Sequence, residues 1–151
     1  MQDLSNAIIN QIYRGIAKLL KELFPDVQVN RGYPEQGLEP PCFVVRTTGG
    51  NNKKRISNSK YKKDLEYLRF TIEFYSFNDA ELDGVMEELR LLIDTFDIDD
   101  GPIRAYNLQS SKSYTANRVT VSFNIVVSTN IYKERIPSMD ELDIQHSILE
   151  D

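Results

Sequence analysis

Apolar residues recur every three or four positions at the start of the chain: Leu4, Ile8, Ile12, Ile16, Leu19, Leu20 and Leu23, with Arg14, Lys18, Lys21 and Glu22 between them. That spacing lines one face of an α-helix. Pro25 ends it, because proline has no N–H to donate and its ring collides with the preceding turn. A second helix is predicted further on, where Leu82, Val85, Met86, Leu89, Leu92, Ile93 and Phe96 share one stripe and Glu81, Asp83, Glu87 and Glu88 lie opposite. Asn78 supplies an N-cap for it, with Glu81 three residues on as the partner of a capping box. The Asp97–Pro102 segment breaks it.

Between and after the helices the period changes from about 3.6 to 2. Leu68, Phe70, Ile72 and Phe74 alternate with Arg69, Thr71, Glu73 and Tyr75, which predicts a long strand over Leu65–Phe77 with one buried face. Val119, Val121, Phe123, Ile125 and Val127 alternate in the same way. They form the second arm of a terminal hairpin, Ile103–Ser111 and Arg118–Tyr132, that turns near Ser113–Asn117. A short strand around Val27–Val29 and another at Cys42–Thr47 flank a connection stiffened by Pro34, Gly37, Pro40 and Pro41. Thr48–Lys63 reads as a long polar loop. Helices separated by antiparallel strands, without a βαβ repeat, predict an α+β two-layer sandwich with both helices packed on one face of a mainly antiparallel sheet.

Length fits one core. The chain has 151 residues, 40% hydrophobic and 27% charged, an ordinary balance for one globular domain. Residues 1–133 are read as that domain and 134–151 as an acidic C-terminal arm. The formal charge of −5 is confined to the arm, which holds six acids and one base, while residues 1–133 balance 17 acids against 17 bases. The balanced part is still polarised along the chain. Lys53, Lys54, Arg55, Lys60, Lys62 and Lys63 fall in a stretch without an acid, and residues 79–100 carry nine acids against Arg90. Such blocks steer association between charged surfaces. No apolar run is long enough for a membrane helix, and Met1–Leu4 lacks the basic-then-apolar order of a secretory signal. With a single cysteine, Cys42, the sequence suits a soluble intracellular protein.

The inventory for catalysis is poor. His146, the one histidine, lies in the acidic arm, so Cys42 has no adjacent base and reads as a buried structural thiol. A zinc site lacks ligands of the usual types. Asp97–Gly101 hints at a calcium loop, but aligning Gly101 with the loop glycine puts Phe96 and Ile98 at ligand positions. Thr48-Gly49-Gly50 lacks the spacing of phosphate-binding loops. These residues imply no enzyme and no cofactor. The basic stretch admits phosphate contact, yet Tyr61 is its sole aromatic residue, and a protein contact is the better reading. The candidate interface is therefore Lys53, Lys54, Arg55, Lys60, Lys62 and Lys63 against Glu81, Asp83, Glu87 and Glu88 of a neighbour. Met139, Leu142 and Ile148 of the arm form an apolar set that docks on a further surface.

The chain resembles the tail terminator proteins of tailed phages and prophages of Gram-positive bacteria across roughly Asn6–Lys133. The resemblance rests on Lys21-Glu22-Leu23-Phe24-Pro25-Asp26, on Glu35 through Val45, on Phe70-Thr71-Ile72-Glu73-Phe74-Tyr75, on Arg104-Ala105-Tyr106-Asn107 and on Val119–Val127, in that order. It implies a structural virion protein assembled in the host cytoplasm, one subunit of a hexameric ring that ends tail-tube growth and joins the tail to the head–neck connector. The implied partners are further copies of the chain, the tail-tube protein, the neck protein and, in contractile tails, the sheath. DNA would pass through the ring without sequence readout, and no membrane is involved. Another head-completion or tail-tube subunit is the alternative, followed by a nucleic-acid-binding accessory protein using residues 53–63. The length of the 49–65 stretch and the acidic arm depart from the family pattern.

Overall fold

The computed structural model describes residues 7–47, 52–57, 62–99 and 101–128; for the strand residues 52–57, 62–64 and 66 the backbone is described. Helix α1 spans Ile8–Leu23 and buries Ile8, Ile12, Ile16 and Leu20 on the stripe that the sequence spacing draws. Leu4 lies outside the described residues. Strands β1 (Gln28–Arg31) and β2 (Cys42–Thr47) follow, then β3 (Asn52–Ser57), β4 (Lys62–Tyr75), helix α2 (Asp79–Leu92), β5 (Thr95–Ile98), β6 (Gly101–Ser113) and β7 (Arg118–Ser128).

The strands form one sheet in the order β1-β2-β4-β7-β6-β5, and β3 pairs with β4 beyond the end of β2. Every pairing is antiparallel except β1 with β2. The α+β reading holds, with both helices in one core. Leu68, Phe70, Ile72 and Phe74 of β4 and Val119, Val121, Phe123, Ile125 and Val127 of β7 meet Ile12 and Ile16 of α1 and Leu82 and Leu89 of α2. Aromatic rings run through this layer: Tyr13 stands edge-on to Phe70 at 5.3 Å, Phe70 stacks on Phe123 at 6.3 Å, and Phe96 meets Phe123 at 6.4 Å. Each such pair adds to area burial through the ring quadrupoles.

Two expectations about connections are corrected. The basic stretch after Thr47 contains strand β3, which hairpins onto the start of β4 with Lys53 opposite Glu66 and Arg55 opposite Asp64. The break after α2 is likewise a hairpin. Phe96 pairs with Ile103 and Ile98 with Gly101, whose φ of +119° a side chain would strain. A third correction concerns the second face of β4. Thr71 and Glu73 alternate with the apolar residues yet are only 2% and 1% exposed.

Helix α1 crosses β5 closely, and a glycine makes that possible. A Cβ on Gly15 would sit 2.7 Å from the Asp97 carbonyl oxygen and 3.1 Å from the Phe96 ring. Gly84, in the middle of α2, has nothing within 4 Å of the same position. Alanine gains about 1 kcal/mol over glycine in a helix interior, and overpacking costs about 1–3 kcal/mol. At Gly15 the obstacle is backbone, which yields poorly, so the clash wins. Gly15→Ala is expected to destabilise by about 1–2 kcal/mol and Gly84→Ala to stabilise by about 0.5–1 kcal/mol in denaturant titrations. Equal effects of the two substitutions would contradict the close crossing.

Candidate functional site

The most developed polar arrangement lies on the outer face of the sheet. Register places Val44 of β2 opposite Glu73 of β4, and Glu73 opposite Thr120 of β7. Arg46 and Arg118, near the ends of that three-strand patch, reach the Glu73 carboxylate at 2.8 Å and 3.4 Å. Tyr33, carried over the sheet by the proline-rich connection, donates its hydroxyl to Oε1 at 2.5 Å, and Tyr75 donates to Oε2 at 3.0 Å. A carboxylate that is 1% exposed thus has four donors from four separate segments. Burial alone pushes Glu73 up, but the hydrogen bonds from Arg46, Tyr33 and Tyr75 outweigh it and hold the group below the usual carboxylate range. Tyr75 is pushed well above its ordinary value, first by burial and then by its hydroxyl and carboxylate neighbours, and stays a donor.

Next to this centre the face continues as a polar ladder. Thr71 and Ser122 hydroxyls lie 3.0 Å apart, and Arg69 donates to Asn124 at 2.9 Å and to Gln109 at 2.7 Å. These contacts tie β4, β7 and β6 together across the sheet. They are internal ties between strands of one subunit.

The fold keeps the described sequence-derived interface residues in two groups, cations in the β3–β4 hairpin and acids on α2. Lys53, Lys54 and Arg55 lie on β3, and Lys62 and Lys63 begin β4 opposite Ser57 and Ile56. Lys60, Met139, Leu142 and Ile148 lie outside the described residues, as does His146. On α2, Glu87 and Glu88 are exposed. Glu81 accepts from the Ser76 hydroxyl at 2.8 Å, and that hydroxyl accepts from the Asn78 N–H at 3.1 Å. The Asn78 side chain in turn accepts from the N–H groups of Ala80 and Glu81, so the capping pair is present with Ser76 as its relay. Asp83 accepts from Lys112 at 2.8 Å and from Tyr114 at 3.0 Å, and these hydrogen bonds, Lys112 first, hold it below the usual carboxylate range. Asp83 is therefore engaged within its own subunit and docks α2 onto the end of β6.

Cys42 is fully buried, and burial pushes its thiol up, as a structural thiol requires. Among the described residues no group of three or more His, Cys, Asp or Glu side chains gathers as a metal site would need. A groove between α1 and β1, lined by Tyr13, Ala17, Val29, Asn30 and Arg31, holds about 200 Å³, with the Arg31 guanidinium 3.9 Å above the Tyr13 ring. That volume is below the roughly 300–1,000 Å³ of a ligand cleft. No helix among the described residues is long and apolar enough to cross a membrane.

Sequence reasoning passed over the Glu73 centre. Tyr75 is two residues away on the same strand, but Tyr33, Arg46 and Arg118 are 27 to 45 residues away along the chain, and the pairing of β2, β4 and β7 together with the connection before β2 brings them to it. The available signal was an acid in the middle of the most apolar strand, where a solvated acid is out of place.

The described residues form a two-layer α+β fold whose polar clusters tie its strands and helices together. The chain belongs to the phage tail terminator family: the family model described as phage tail terminator protein matches residues 11–137. No curated protein matches the chain. Among solved structures, a chain from the virion of a native gene transfer agent particle aligns with a TM-score of 0.48 at 9% identity, over 81% of this chain and 96% of that one.

Proposed function

We propose that the chain is a non-enzymatic virion subunit that forms, with copies of itself, a hexameric ring ending tail-tube growth and joining the tail to the head–neck connector. The family match over residues 11–137 carries this reading, because it runs from within α1 through all seven strands. The tail-tube protein and the neck protein are its neighbours in the particle, the sheath being a third in a contractile tail, and DNA passes through the lumen. The register of β3 speaks against the alternative of a nucleic-acid-binding accessory protein, since Asp64 and Glu66 stand opposite Arg55 and Lys53 and lower the net positive charge of the hairpin.

The test is assembly with and without the protein. Native mass spectrometry of the purified chain is expected to show a closed oligomer of six. Particles assembled in its absence are expected to carry tubes of unregulated length and heads without tails. Tubes of normal length joined to heads in its absence would remove the assignment.

A further inference from the structure

Resting on the ring reading, we infer that neighbouring copies are joined edge to edge, β3 of one subunit pairing antiparallel with the Gln109–Ser113 stretch of β6 in the next. Strand β3 has β4 on one side and, among the described residues, no strand on the other. Strand β6 is covered by β5 only over Gly101–Arg104, and beyond that it has β7 on one side and no described strand on the other. A row of unpaired N–H and C=O groups on each edge is a template for another chain.

The two edges lie on opposite sides of the sheet, so joining them is a head-to-tail contact, which closes into a ring when its rotation allows. Direction agrees as well. β3, β4, β7 and β6 alternate without interruption, so a rotated copy presents its β3 to β6 in antiparallel sense. Length agrees too: β3 has six residues, and Gln109–Ser113 is the part of β6 that pairs regularly with β7 beyond the irregularity at Tyr106/Gln109. Residues 109–112 are all exposed.

Charge identifies the occupant. Lysines on an edge strand ordinarily keep it unpaired. Here the receiving edge lies beside α2, anchored there by Asp83 with Lys112 and Tyr114, and α2 also carries Asp79, Glu87 and Glu88, all exposed. A second copy therefore offers to Lys53, Lys54 and Arg55 the acids that water would otherwise replace. The pairing also fixes a stagger. β3 is level with Lys62–Tyr67 of β4, and Gln109–Ser113 with its Thr71–Tyr75 end, so each subunit is displaced along the strands. The shift is roughly seven to nine residues, on the order of 25–30 Å, and it tilts the strands to the ring axis as a closed sheet requires.

The experiment is cross-linking of the full chain with a short bismaleimide, using Lys54→Cys and Ser111→Cys. Cys42 is fully buried and supplies no competing thiol. The double variant is expected to give a ladder of covalent oligomers up to the ring, a mixture of the two single variants to give dimers, and each single variant alone to give none. Linkage within Lys54→Cys alone overturns the proposal in favour of a two-fold contact. Linkage of Ser111→Cys to Asn30→Cys instead places the joint at β1 and overturns it too. A ring without any linkage overturns the edge pairing and leaves the ring intact, whereas a chain that neither links nor assembles overturns both. Reversing Lys53, Lys54 and Arg55 to glutamate is expected to weaken assembly by at least about tenfold while the subunit stays folded, its melting temperature lowered only slightly by the like charges then opposite Glu66 and Asp64. Unaltered assembly of that variant also counts against the pairing.

Discussion

Glu73→Ala is expected to destabilise the domain by about 3 kcal/mol, the lower end of the range for removing one partner of a buried ion pair. The carboxylate is 1% exposed, and its loss leaves the Tyr33, Tyr75, Arg46 and Arg118 donors aimed at an empty site. The two arginines are 37% and 41% exposed and recover part of their hydration, which keeps the cost from the upper end. Glu73→Gln keeps the shape and one acceptor and is expected to cost about 2 kcal/mol. The pH dependence separates the charge from the shape. Because the folded-state pKa is depressed, the contribution is complete above the unfolded value of about 4.3 and is lost as pH falls through the folded value. Wild-type stability should therefore fall faster than that of Glu73→Gln below about pH 4. Parallel acid curves for the two proteins would mean that Glu73 carries no charge-dependent stability.

What the sequence displays and what it hides follow from the range of each interaction. The buried faces of α1, α2, β4 and β7 are written in local periodicity, since one apolar stripe must face one core. Ile12, Phe70, Leu89 and Phe123 all sit where spacing puts them. The tail terminator family is likewise legible, because the order of segments from Lys21 to Val127 survives as a pattern. Pairings between distant residues are hidden. Strand β3 reads Asn-Lys-Lys-Arg-Ile-Ser, with no apolar alternation to distinguish it from a loop, and its existence depends on β4 continuing to Lys62 as a template. Strand β5 is four residues long and carries little pattern of its own; it forms because β6 pairs with it and α1 packs on it through Gly15. Glu73 read as a solvated residue because alternation describes one strand, whereas its burial comes from Tyr33 and Arg46 folding over it.

Leu89→Ala is expected to cost about 2–5 kcal/mol, through the lost transfer free energy and the cavity that remains. Leu89 is fully buried, at the centre of the α2 face that meets the sheet together with Leu82 and Val85. For a chain of this size each kcal/mol lowers the melting temperature by roughly 2–4 °C, so a fall of about 5–15 °C is expected. Leu92 is the internal control. Periodicity puts it on the same stripe, but it is 40% exposed because the helix ends there and the chain turns into β5. Leu92→Ala should cost well under about 1 kcal/mol, most of its side chain losing no packed neighbours. The pair measures where the helix leaves the core, which the apolar spacing through Phe96 does not show. A loss below about 0.5 kcal/mol for Leu89→Ala, or equal losses for both leucines, would mean that α2 is not held to the sheet through this face.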